Sequence, residues 1–228
     1  MGGRSPEILK YKGIIEILID NGANVNPSLP NGWSPLMTAI LNNSNEVAQI
    51  YINKGSDINA QTKEGWTPLY FAASKGNLDM VMQLIEKGAD KNIIEKEGDG
   101  DTIFLAAVWG GNDKLVEYLI EKGMNVNDIN RYGRNALFII AKEGNVNILE
   151  ILVKAGININ REDNEENTAL IIAAKNGQKE VVEKLIKYGA EIDHKNNKGE
   201  TAMSIANEKG YEDIINILQK SKQSTDVK

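Results

Sequence analysis

The sequence predicts an all-α solenoid, a stack of helix-turn-helix units with protruding fingers. Three observations predict it: glycines at a fixed period, an apolar stripe with the same period, and small residues in register with both. One glycine series, Gly22, Gly55, Gly88, Gly123, Gly156 and Gly189, has successive spacings of 33, 33, 35, 33 and 33. A second, Gly32, Gly65, Gly100, Gly133 and Gly199, opens each unit, with Glu166 in the fifth place. A third, Gly76, Gly111, Gly144, Gly177 and Gly210, falls mid-unit, with Asn43 in the first place. Units of this size cannot bury enough apolar surface alone, so they stack.

The unit opened by Gly65 shows what each piece does. Thr67 caps a helix whose first turn holds Pro68, where the missing N–H costs nothing. That helix runs through Leu69, Tyr70, Phe71, Ala72 and Ala73 and stops near Gly76, a residue free to turn left-handed. A second helix begins at Leu78 and Asp79 and carries Met80, Val81, Leu84 and Ile85 at helical spacing. Gly88 closes it, and residues 89–97 form an extended, hairpin-like finger leading to the next unit.

The second-helix stripe recurs as Ile14, Ile15, Leu18 and Ile19 at one end and as Ile214, Ile215 and Leu218 at the other. The first helices supply Ala39, Ala72, Ala107, Ala141, Ala173 and Ala206, small enough for close packing between neighbours. On this register residues 1–228 form one domain. It comprises a partial unit, 1–30, then units 31–63, 64–98, 99–131, 132–164, 165–197 and 198–220, and a tail, 221–228. The partial unit is expected to have only a stub of a first helix, from Ser5 to Lys10. Glu212, Asp213, Asn216, Gln219 and Lys220 give the last helix the polar outer face of a terminal cap.

The run Gly65-Trp66-Thr67-Pro68-Leu69-Tyr70-Phe71-Ala72-Ala73, followed by Gly76-Asn77 and Gly88-Ala89-Asp90, closely resembles the ankyrin repeat. The resemblance covers roughly residues 5–220. It implies L-shaped units stacked into a curved solenoid, with fingers and first helices lining a concave, partner-binding face. The family's motif histidine is absent: Met37, Tyr70, Leu105, Phe138, Ile171 and Ser204 stand in its place. These units are expected to depend more on apolar packing. The third finger carries two extra residues within 95–101.

Composition narrows function. The net charge of −6 argues against a surface that tracks phosphates, so no nucleic acid is expected, and it suits a protein partner carrying a basic segment. With no cysteine there is no disulfide, no thiolate zinc site and no cysteine nucleophile. Residues 1–6 lack the apolar core of a secretory signal, and no apolar run is long enough to span a membrane. A cytoplasmic, monomeric protein is expected, in a host cell's cytosol if the Asn-, Ile- and Lys-rich composition marks a host-directed effector. The one histidine, His194, reads as an exposed turn residue, and no phosphate-binding glycine loop is present. The acidic run Glu95, Glu97, Asp99 and Asp101 reads as a solvated finger rather than a calcium loop. No enzyme activity, metal or cofactor is expected.

Asn26, Asn59, Asn92, Asn127 and Asn160 recur at one finger position. The turn reading, short amides satisfying backbone groups, is favoured over one the resemblance suggests, as substrates of an asparagine hydroxylase. The predicted binding surface comprises Trp33, Trp66, Tyr70, Asp99, Asp101, Trp109, Tyr132 and Arg134. Trp33 and Trp66 occupy equivalent places and are expected side by side; Trp, Tyr and Arg are favoured hot-spot residues. Two functions remain: a protein-interaction module, or a regulatory or targeting domain of a larger enzyme, channel or effector.

Overall fold

The structure is a computed structural model that describes residues 6–27 and 29–225, with side chains from residue 12 to 223 among them. Among the described residues it is all-helical and holds no strand. The chain divides into two compact bodies, Met1–Ile103 and Phe104–Lys228. The N-terminal body carries α1 (Pro6–Asp20), α2 (Pro35–Leu41), α3 (Asn45–Asn53), α4 (Pro68–Ser74) and α5 (Leu78–Glu86). Here α2 packs on α3 and α4, α4 on α5, and α1 on α3. From Ile103 onward come α6 (Ile103–Trp109), α7 (Asp113–Glu121), α8 (Ala136–Glu143) and α9 (Val146–Lys154). They are followed by α10 (Ala169–Lys175), α11 (Lys179–Lys187), α12 (Ala202–Lys209) and α13 (Glu212–Thr225). In the C-terminal body α10 packs between α8 and α12, and α9, α11 and α13 follow one another in a second row.

Local chemistry fixes this alternation. Thr67 Oγ1 accepts the Tyr70 N–H at 3.1 Å, and Pro68 occupies the first turn of α4. Mid-unit glycines end first helices, and in three units the asparagine that follows caps the second helix: Asn77 accepts from the Met80 N–H, Asn112 from Leu115 and Asn145 from Ile148. The two residues that replace glycine in the registered series do adopt left-handed backbone, Asn43 at φ 54° and Glu166 at φ 60°. The fold demands this conformation whether or not the sequence supplies a glycine.

The six first-helix alanines are all buried. So are Met80, Val81 and Leu84 of α5 and their counterparts in α7, α9, α11 and α13. Met37, Leu105, Phe138 and Ile171, which replace the motif histidine, are buried as well. Ser204 instead forms a reciprocal capping box with Thr201.

One expectation is corrected and one takes a more specific form. The first unit is not a stub followed by a second helix, because α1 is continuous over fifteen residues. Lys10 stands where later units have Asn or Gly in left-handed backbone, so nothing there breaks the helix. Ser5 lies outside the described residues. The fingers, expected to be hairpin-like, hold no strand among the described residues and are tight turns closed by pairs of backbone bonds, such as Thr62 N–H to Trp66 O and Gly65 N–H to Thr62 O, both at 3.0 Å.

Candidate partner-binding surface

Three kinds of side-chain bond that repeat along the chain help to hold the fingers. The first closes each finger on itself. Thr62, Glu95, Asn130, Asp163 and Asn196 occupy one position, at spacings of 33, 35, 33 and 33, and each accepts backbone N–H groups across its turn. Asp163 accepts from Glu165 and Asn167, and Asn196 from Lys198 and Glu200. The third finger is two residues longer, and its closing residue is the longest of the five, Glu95, which accepts from the Asp101 N–H. The sequence signal for this series was present, a registered column of side-chain acceptors, but it lay hidden among differing residue types.

The second kind stitches each finger to its neighbour. Asn59 donates Nδ2 to Gly88 O at 3.3 Å and accepts the Asp90 N–H at 2.8 Å. Asn26, Asn127 and Asn160 make the same pair of bonds to Gly55 and Asp57, to Gly156 and Asn158, and to Gly189 and Glu191. The turn reading of these asparagines therefore has a specific form, an amide that satisfies one donor and one acceptor on the next unit.

The third kind links the residue after a unit-opening glycine to the closing residue of the next finger. Arg134 Nε donates to Asp163 at 2.9 Å, and Asn196 Nδ2 donates to Asn167 at 2.9 Å. Trp66 approaches Glu95 in the same way. Its indole N–H is shielded from solvent and sits close enough to favour the carboxylate charge, but outside hydrogen-bond geometry. Burial nevertheless pushes the Glu95 carboxyl above its ordinary value, with the charges of Asp101 and Asp99 adding. The Tyr70 phenol is pushed up by burial and by the same three carboxylates.

These commitments sort the predicted site residues. Trp33 stacks on Phe71 with centroids 5.1 Å apart, and Phe71 also meets Trp66 edge-on at 5.8 Å. The two tryptophans expected side by side are thus separated by a phenylalanine and are half-buried around it. Tyr70 is half-buried and stacks on Trp66 at 6.2 Å. Asp101, expected at the surface, is only 6% exposed, because it closes the third finger against Glu95; Asn167 is buried for the equivalent reason. Asp99 is exposed.

In the C-terminal body Trp109 is 37% exposed, with Lys142 Nζ 4.7 Å above its ring, and Tyr132 is 42% exposed, with the Arg134 guanidinium 5.4 Å from its ring. Arg134 itself is half-buried. His194 is not an exposed turn residue: its side chain is largely covered, with Nε2 bonded to Glu166 O at 2.8 Å. Among the described residues no helix is long and apolar enough to cross a membrane, and no cluster of three His, Cys, Asp or Glu is placed to hold a metal.

No protein of curated function matches the chain. The family model described as Ankyrin repeats (3 copies) matches residues 8–95, 91–163 and 158–228. Those matches span nearly the whole chain, and with the stitched, glycine-registered helix pairs they show that it belongs to the ankyrin-repeat family, whose members are in general protein-interaction modules.

Proposed function

We propose that the chain is a non-catalytic module, one array of about six units plus a partial one, that binds a protein partner through finger tips and the exposed ends of first helices. One observation carries this reading. Trp109 and Tyr132 are among the most exposed large hydrophobic side chains of the described residues, each with a cation above its ring. Exposed Trp and Tyr beside Arg or Lys are the composition of binding hot spots. Arg134 supports the surface by fixing its finger. Asp99 offers charge to a basic segment of the partner. Trp33, Trp66, Tyr70 and Asp101 contribute by holding their fingers in place. The expected setting is the cytoplasm, where a cysteine-free chain loses nothing.

The test is affinity capture with the wild-type chain and a Trp109→Ala/Tyr132→Ala variant of equal thermal stability. The reading expects a saturable protein partner on the wild type that is lost from the variant. Equal capture by both would overturn the assignment.

A further inference from the structure

The finger tips of the C-terminal body carry an ordered pattern of exposed side chains. Fingers 124–134, 157–167 and 190–200 precede α8, α10 and α12, with α10 packed between the other two helices. At one registered position the fingers present Tyr132, Glu165 and Lys198, and three residues earlier they present Ile129, Glu162 and Lys195. All six side chains are exposed. Both columns therefore read apolar, acidic, basic along the array. Finger 124–134 adds an exposed Arg131, and finger 157–167 adds an exposed Glu166.

The opposite charges in these columns do not satisfy one another. Glu165 and Lys198 occupy equivalent places on fingers joined by the Asn197 N–H to Glu165 O bond at 3.2 Å, yet they form no ion pair. Glu165 accepts only a long bond, 3.4 Å, from Asn167 of its own finger, and Glu162 faces His194 at 3.7 Å rather than Lys195. Among the described residues neither Lys195 nor Lys198 has an ion-pair or hydrogen-bond partner for its ammonium group. Elsewhere in the same body such neighbours do pair across units: Lys184 with Glu150, Lys179 with Asp213 at 3.3 Å and Lys222 with Asp193 at 2.7 Å. The finger tips thus leave to solvent charges that the second-helix row neutralises within the chain.

We infer that these three fingers take an extended segment of the partner protein, in which an apolar, a basic and an acidic side chain follow one another at three-residue steps. Neighbouring packed helices lie about 8–10 Å apart and an extended chain advances about 3.3 Å per residue, so each finger meets every third residue. The apolar side chain lies on Tyr132, the basic one meets Glu165 and the acidic one meets Lys198. Ile129, Glu162 and Lys195 repeat that order and reinforce it. Arg131, beside Tyr132, disfavours a basic residue at the apolar step. Complementary charge of this kind sets register and specificity more than affinity. Such a segment presupposes the protein-binding reading and gives the partner its local chemistry.

Fluorescence anisotropy of the full chain with labelled synthetic peptides tests it. The probes carry leucine, lysine and glutamate at three-residue steps with serine between them, in either chain direction, and the controls exchange lysine and glutamate. One probe should bind at least about tenfold more tightly than its control, and added salt should narrow the gap. Lys198→Glu alone should reduce the preference. The fourfold variant Glu162→Lys/Glu165→Lys/Lys195→Glu/Lys198→Glu should keep the wild-type Tm and prefer the control. Peptides bound without preference, or not at all up to about 1 mM, overturn the segment, as does a preference that the fourfold variant keeps. Should capture of a partner still depend on Trp109 and Tyr132 in that case, the binding reading stands and only the segment falls.

Discussion

Arg134 on one finger donates its Nε–H to the buried Asp163 carboxylate of the next at 2.9 Å. Asp163 simultaneously closes its own turn by accepting from the Glu165 and Asn167 N–H groups. One carboxylate thus joins the shape of a finger to the spacing between fingers.

The two partners are therefore not equivalent. Arg134→Ala removes one charge-assisted bond and leaves Asp163 with its turn donors, a loss of about 1–2 kcal/mol. Asp163→Ala strips several donors at once and should cost about 2–4 kcal/mol. Urea unfolding of both variants measures the difference; equal losses would show that the turn bonds contribute little.

Glu166 adopts φ 60° where other units have glycine. Left-handed backbone costs a residue with a β-carbon about 1–2 kcal/mol, partly offset by glycine's greater unfolded-state entropy. Glu166→Gly is expected to stabilise by about 0.5–1 kcal/mol, raising Tm by roughly 2 °C. Asn43→Gly should gain less, since asparagine tolerates this conformation. Calorimetry of the two variants checks the ordering.

The Glu95 carboxyl is raised above its ordinary value of 4.5, so the folded chain binds this proton more tightly than the unfolded one. Its contribution to stability therefore falls as pH rises from 4.5 through the raised folded value, and is flat above. Glu95→Gln keeps an acceptor for the Asp101 N–H without the buried charge. Its Tm should exceed that of the wild type at neutral pH, with the gap closing as pH falls toward 4.5. A gap independent of pH would contradict the burial argument.

The fold was legible because it is written in backbone requirements. A left-handed residue has to recur where each helix ends, and only glycine, asparagine or a strained substitute such as Glu166 supplies it. The buried alanines and second-helix stripe were legible through periodicity. The surface was read less well. Asp101 was expected at the surface, yet the finger-closing bonds draw it inward, as they do Asn167 at the equivalent position. Trp33 and Trp66 share a register position, but Phe71 comes from a different position of the same unit and fills the space between them. Periodicity relates equivalent residues and is blind to contacts between inequivalent ones. The finger-closing column escaped notice because threonine, glutamate, asparagine and aspartate do the same job in it.

The most direct test of the interaction reading separates tryptophans that hold the fold from aromatic residues that are free to bind. Once a partner has been captured, its affinity is titrated against Trp109→Ala/Tyr132→Ala and Trp33→Ala/Trp66→Ala, with Tm recorded for each. Loss of Trp109 and Tyr132 should weaken binding by about tenfold or more with little change in Tm. Loss of Trp33 and Trp66 should remove about 2–4 kcal/mol of stability by emptying the space around Phe71, while the folded fraction still binds. The reverse pattern, affinity lost with Trp33 and Trp66 and unchanged without Trp109 and Tyr132, would contradict the account.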